Sequence, residues 1–239
     1  MSSTTPERQS LTERRKSETR TEIARAAARL FVRQGLRATR AEDIAQAAGI
    51  APRTFYRYFA TKEEAVAPLY AAGAQRWAEA VRDAPAGLSP HEALEHAVRL
   101  TLTPGAGVSA ASWEFVRTLI RLAESSPALR KVWAEVYHTS ERALAEVLAD
   151  RLAAGDDNVA RRLAASPRLR FVAAAAGATV RIALEHWAGE DDGDRPGHTG
   201  RSALDTALGN LETLRHLPWD TLTDAVTDAV TDARTEPPE

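Results

Sequence analysis

The 239-residue sequence predicts an all-α fold, and three observations carry that reading. The apolar fraction, 44%, leans on Ala with many Leu and few β-branched runs, a mixture that favours helices. Along most of the chain apolar residues recur at three- and four-residue spacing. Helix starts are punctuated by Ser-Pro pairs at Ser89-Pro90, Ser126-Pro127 and Ser166-Pro167, where Pro suits the first helical position because its missing N–H costs nothing there. At this length the chain forms one large domain or two small ones.

Composition excludes several classes. No stretch reaches eighteen uninterrupted apolar residues, so no membrane span is indicated. The N-terminus, MSSTTPERQSLTERRK, has no apolar core of a secretory signal. Cysteine is absent, which removes disulfides and thiolate metal sites and suits a cytoplasmic protein. The net charge of −2 conceals an asymmetry. Residues 1–62 hold 13 Lys/Arg against 6 Asp/Glu (+7), and residues 63–239 hold 18 against 27 (−9). A basic head on an acidic body suits a protein that grips a polyanion at one end.

Residues 1–12, rich in Ser, Thr and Pro, are expected to be a disordered arm made basic by Arg8 and its neighbours. Such an arm follows a phosphate backbone, reaches into a minor groove, or is simply a solvated tail. The first helix is expected over 13–34, with Ile23, Ala27, Leu30 and Phe31 as its apolar stripe and Gly35 as its stop. The next stretch, RATRAEDIAQAAGIAPRTFYRYFATK (37–62), reads as two short helices around a tight turn. Ile44, Ala45 and Ala48 give the first an apolar edge, and Gly49 supplies the permissive backbone for a sharp exit. Pro52 opens the second, in which Phe55 and Phe59 face inward while Arg53, Thr54, Tyr56, Arg57 and Tyr58 face outward. That is the layout of a helix-turn-helix reading head, whose second helix enters the major groove by its N-terminal end. Arg53 and Thr54 are therefore the candidates for base edges. Arg57 and Tyr58 are placed for base or backbone, and Arg40 for a phosphate beside the first of the two helices. Thr39 and Glu42 offer a Thr-x-x-Glu capping box.

The run from Ile44 through Gly49 to Phe55-Tyr56-Arg57-Tyr58-Phe59 and Lys62 resembles the DNA-binding domain of TetR-family transcriptional regulators, over roughly residues 16–66. Two departures stand out: Ala51 replaces the family's usual N-cap Ser, a loss of about 0.5–2 kcal/mol, and Tyr58 replaces its usual His. The resemblance places Tyr56 and Lys62 on phosphates, which position the helix without reading sequence. It also implies a homodimer on a double-stranded DNA operator, a small-molecule effector bound by a helical body, and a four-helix bundle built at the dimer interface from the last two long helices. The division expected is a reading head over 13–62, a ligand-binding and dimerisation domain over 63–217, and a flexible tail over 218–239.

Within that body a linker helix is expected over 63–83, and Pro68 predicts a kink or a slipped start. Ser89-Pro90-His91-Glu92 is a capping box. Residues 112–123 form a helix apolar on nearly all sides, and so expected to be centrally buried, with Glu114, Arg117 and Arg121 as its polar stripe. A further helix is expected to about Ala154, then one from Ser166 whose small residues, Ala173 to Ala178, allow close approach of a neighbour. The last spans 202–217 with a leucine seam at Leu204, Leu208, Leu211 and Leu214. This C-terminal region resembles, more loosely, the mycofactocin-system regulators within the family.

Tyr70, Trp77, Trp113, Trp133 and Tyr137 fall in the middle helices, where they either enclose an effector pocket or fill a plain core; Arg117, Arg121 or His138 then meets a polar or anionic group of the effector. No histidine spacing of a zinc motif, phosphate-binding glycine loop or nucleophile elbow is present, so neither an enzyme, a cofactor nor a metal site is expected. Asp191-Asp192-Gly193-Asp194 lacks the spacing of a calcium loop and reads as a solvated charge run. The sequence therefore predicts a DNA-binding regulator, a ligand-released repressor with a hydrophobic or amphipathic effector. The alternatives are a helical ligand carrier or enzyme with a vestigial head, and an activator or interaction module using the same head.

Overall fold

The computed structural model describes residues 11–103, 110–190 and 202–216, which are helices and turns with no strand among them. The chain divides into two compact units, Met1–Tyr70 and Ala71–Glu239. The expected basic arm, the loop 191–200 with its three aspartates, and the tail 218–239 lie outside the described residues, except that Leu11 and Thr12 already belong to the first helix.

In the N-terminal unit α1 (Leu11–Gln34) packs on α2 (Ala41–Ala47), and α2 packs on α3 (Pro52–Tyr58). The expected stripe of α1 is its buried face: Ile23, Ala27, Leu30 and Phe31 join Ile44, Ala45, Phe55 and Phe59 in one core. Gly35 and Gly49 end α1 and α2 with φ of +84° and +68°, conformations that a Cβ disfavours. Thr39 does not cap α2. Its side chain is buried, where Oγ1 donates to the Gly35 carbonyl at 2.8 Å and accepts from Gln34 Nε2 at 3.3 Å. The cap moves one residue along: Asp43 Oδ2 accepts from the Arg40 N–H at 2.9 Å, a half-box, since an arginine side chain has no acceptor to return. No side chain caps α3, as Ala51 at its N-cap implies.

Pro68 produces a slipped start and not a kink. A single 3-10 turn (Glu64–Val66) precedes α4 (Ala67–Asp83), so the proline falls in the first turn, where its missing N–H is harmless. The C-terminal unit then holds α5 (Pro90–Leu102), α6 (Ala110–Ser125), α7 (Pro127–Leu152), α8 (Asp157–Ala165), α9 (Pro167–Gly189) and α10 (Ala203–Glu212). Its centre is α9, which packs on α6, α7, α8 and α10, while α10 also packs on α5. Ser89 and Glu92 form the expected reciprocal box at α5: Glu92 Oε2 accepts from the Ser89 N–H at 2.8 Å, and Ser89 Oγ from the Glu92 N–H at 3.3 Å.

Two readings of this unit need correction. Helix α8 was not expected. Asp156 is its N-cap, accepting from the N–H groups of Asn158 and Val159 at 2.9 and 3.1 Å. Nor is α6 centrally buried: Leu119, Ile120 and Ala123 are buried, but Trp113, Phe115, Val116 and Leu122 are only partly so. The small-residue stretch of α9 packs at ordinary distance, since a Cβ added at Gly177 would lie 3.7 Å from Glu141 Cγ.

Candidate nucleic-acid interface

The reading head is built from the inside out. Phe55 and Phe59, one turn apart, sit in the core with ring centroids 5.8 Å apart. Their burial fixes the rotation of α3, and so turns Arg53, Tyr56 and Arg57 to solvent, with Thr54 and Tyr58 partly exposed at its edges. The C-terminal end of α3 is tied to α1 by Arg20. Its guanidinium donates to the Tyr58 carbonyl at 3.0 Å and stands 4.6 Å from the centre of the Phe59 ring. Arg57 lies over the Tyr58 ring at 5.4 Å.

Lys62 is half-buried. Its Nζ donates to the carbonyls of Leu36 and Thr39 at 2.7 and 2.8 Å, holding the turn that leads into α2. An ammonium has three donors, so two of them have a structural task at this position. Tyr56 is 52% exposed and donates to Glu42 Oε1 at 3.3 Å. Its pKa is raised by what burial it has and then by the Glu42 carboxylate, which keeps the phenol protonated as a hydrogen-bond donor. Among the described residues, Arg40, Arg53 and Arg57 have no carboxylate within ion-pairing distance. A rod of cationic, phenolic and hydroxyl groups, unneutralised along its exposed side and rigid beneath, can lie in a groove lined by phosphates.

The eight residues expected at an effector site fall in both units. Tyr70 is buried in the N-terminal unit, and burial raises its pKa. The others lie in the C-terminal unit. Trp77 belongs to the main core, and Trp113 packs against that same core. Trp133 and Tyr137 stack edge to face at 4.6 Å; Trp133 Nε1 donates to Glu185 Oε1 at 2.7 Å, and Arg181 pairs with the same carboxylate at 3.0 Å. Burial, then Glu185, raises the Tyr137 pKa. Trp113 stacks edge to face on Trp187 at 5.4 Å, with Arg117 over the Trp187 ring at 5.5 Å. Arg117 and Arg121 both donate to the Glu190 carbonyl, and Arg121 also to that of Ala188, so they cap the C-terminal end of α9. The His138 side chain is 74% exposed, with Nδ1 3.6 Å from Glu141.

Sequence reasoning missed Glu185, Arg181 and Trp187. The Arg181–Glu185 spacing of four was available as a signal, but what they touch depends on α7 and α6. It also missed Arg151, whose guanidinium donates to the carbonyls of Ala84 and Pro85 at 2.8 and 2.9 Å and of Val81 and Leu88 at 3.3 Å, closing the turn between α4 and α5.

Comparison with known proteins accounts for both units. Residues 23–67 match the family model of bacterial regulatory proteins of the tetR family, and residues 88–215 match that of the MftR C-terminal domain. The HTH-type transcriptional regulator TcmR of Streptomyces glaucescens is 30% identical over 186 residues, 77% of this chain and 79% of that protein. Among solved structures, Thermus thermophilus FadR, a TetR-family repressor crystallised with lauroyl-CoA, is similar over 82% of this chain and 92% of its own (TM-score 0.49, 24% identity). The flavonoid-responsive regulator FrrA is similar over 82% and 94% (TM-score 0.45, 25% identity). No described helix is long and apolar enough to cross a membrane. With its exposed helix-turn-helix surface and both halves matched, the chain belongs to the TetR family of bacterial DNA-binding transcriptional regulators.

Proposed function

We propose that this chain is a cytoplasmic homodimeric repressor that leaves its operator when a hydrophobic or amphipathic small molecule binds the C-terminal unit. The observation that carries the DNA half is the pairing of a buried Phe55–Phe59 underside with an exposed, unneutralised Arg53–Tyr56–Arg57 surface. Arg53 and Thr54 contact base edges. Tyr56 and the third donor of Lys62 contact phosphates, Tyr56 exchanging Glu42 for a phosphate oxygen, and Arg40, Arg57 and Tyr58 flank them. Two heads in a dimer meet half-sites about 34–36 Å apart, or a multiple of that spacing.

Support for dimerisation comes from α9. Phe171, 65% exposed, and Ile182, 48% exposed, lie eleven residues apart on one helical face with Ala175 and Ala178 between them. An apolar stripe on the central helix of a soluble domain suits a partner helix. Support for the effector comes from the indole N–H groups of Trp77 and Trp113. Both are buried and have no acceptor among the described residues, whereas buried donors ordinarily find one. A ligand with an apolar body and a carbonyl or carboxylate would supply it.

A gel shift on the DNA upstream of the protein's own gene, titrated with salt, tests the reading. The expected result is binding at least 10³-fold tighter than to scrambled DNA, the lower bound of roughly 10³–10⁷ for specific binders. Affinity near the nonspecific range, about 10⁻⁴–10⁻⁶ M, would support the vestigial-head alternative instead.

A further inference from the structure

The packing of α5 on α10 brings together three metal-ligating side chains that no part of the DNA-binding or effector reading uses. His91 and Glu95 stand four apart on α5, hence on one face of that helix, and Glu212 ends α10. One ligand atom from each lies within 4.8 Å of the other two. His91 is 5% exposed, and neither ring nitrogen has a hydrogen-bond partner among the described residues. Its Nε2 stands 3.4 Å from Glu95 Oε1 without the geometry of a hydrogen bond. A buried imidazole ordinarily donates from one nitrogen and accepts at the other. One that does neither, beside two carboxylates, is open to a cation.

We infer that His91, Glu95 and Glu212 form a binding site for one borderline divalent transition-metal ion, Zn2+ above all. The donor set selects the class. Imidazole suits zinc, nickel and their neighbours, while Mg2+ and Ca2+ prefer oxygen alone. Ligand atoms about 2.0–2.2 Å from a tetrahedral zinc lie roughly 3.4 Å from each other, which the His91–Glu95 pair already matches. Arg215 occupies the cation's place in part: its Nη2 lies 2.7 Å from Glu212 Oε2 and 3.4 Å from Glu95 Oε1. It neutralises the carboxylates but offers nothing to an imidazole, since it has no acceptor to give and His91 has no negative charge to attract it. Metal binding displaces the guanidinium and completes its shell with water. The consequence is a staple between α5 and α10, formed only while both helices are docked, so the ion stabilises the folded C-terminal unit.

The test uses the full-length, tag-free chain after chelator treatment, with Zn2+ uptake followed by equilibrium dialysis and Co2+ uptake by its d–d absorption. The expected result is one ion per chain, a Co2+ spectrum of low coordination number, and a rise in Tm on Zn2+ addition. Glu212→Gln, an exposed substitution that leaves the core intact, and His91→Gln should each weaken binding by more than roughly 10–100-fold, the loss that even an outer-shell partner causes. Arg215→Ala should bind more tightly, because the competing cation is gone. Absence of uptake by the unaltered chain would overturn the site. So would uptake that Glu212→Gln leaves unchanged, which would assign the ion to other histidines.

Discussion

Arginines at the joints of the C-terminal unit and arginines along the reading head are used in opposite ways, and the difference separates scaffold from surface. In the C-terminal unit five arginines find acceptors that tie helices and turns together. Arg117 and Arg121 cap α9, Arg151 closes the α4–α5 turn, Arg181 pairs with Glu185, and Arg215 lies between Glu95 and Glu212. In the N-terminal unit Arg20 and Arg25 are partnered in the same manner, but Arg40 at the N-cap of α2 and Arg53 and Arg57 on α3 have no carboxylate in reach among the described residues. An arginine whose acceptors come from the fold holds structure, and one denied them is available to an outside polyanion. The +7 and −9 charges of the two stretches of sequence are the coarse form of that division.

The comparison can be broken by substitutions that blur the division. The largest effect is expected from Phe55→Ala. Removing a fully buried ring should cost about 3–5 kcal/mol and unfold the head, so that thermal melts lose an early, DNA-stabilised transition while the C-terminal unit stays helical. Next is Arg151→Ala, which leaves several carbonyls of the α4–α5 turn without their donor. A loss of about 2–3 kcal/mol should appear in urea unfolding of the C-terminal unit, with DNA affinity per folded protein unchanged. If affinity falls as far as stability, the arginine is not purely scaffold. Lys62→Met sits across the division. It removes two charge-assisted bonds to Leu36 and Thr39 and should destabilise the head by about 1.5–2 kcal/mol while weakening all DNA sequences alike. The smallest effect is a gain: Gly177→Ala should stabilise the C-terminal unit by about 0.5–1 kcal/mol, because helical Gly carries an entropic cost and the new Cβ meets only Glu141 Cγ at 3.7 Å.

Much of this was legible in the sequence because it was local. Spacing placed Ile23, Phe31, Ile44, Phe55 and Phe59 in one core, and Gly49 and Pro52 bracketed the turn between the helices they frame. Ser89, Ser126 and Asp156 all cap helices through their own side chains. Only the first two were read as starts, because Asp156 follows Ala154 and Gly155, whose positive φ turn also ends α7. What stayed hidden depended on partners far along the chain. The 70-residue separation between Arg151 and Val81 leaves no periodic trace, and neither does the meeting of His91 with Glu212. The polar stripe of α6 was visible, but its acceptors are the last carbonyls of α9. Residue type showed that this stripe carries arginines but not that they cap a helix.

The most direct test of the central claim compares the unaltered protein with Arg53→Ala on the cognate operator and on a scrambled duplex at matched salt. Arg53 is exposed and outside the core, so its loss should leave Tm unchanged. A lost base contact of about 1–3 kcal/mol should weaken cognate binding roughly 5–150-fold while scrambled DNA loses only one phosphate-scale increment. Equal losses on both duplexes would contradict the account.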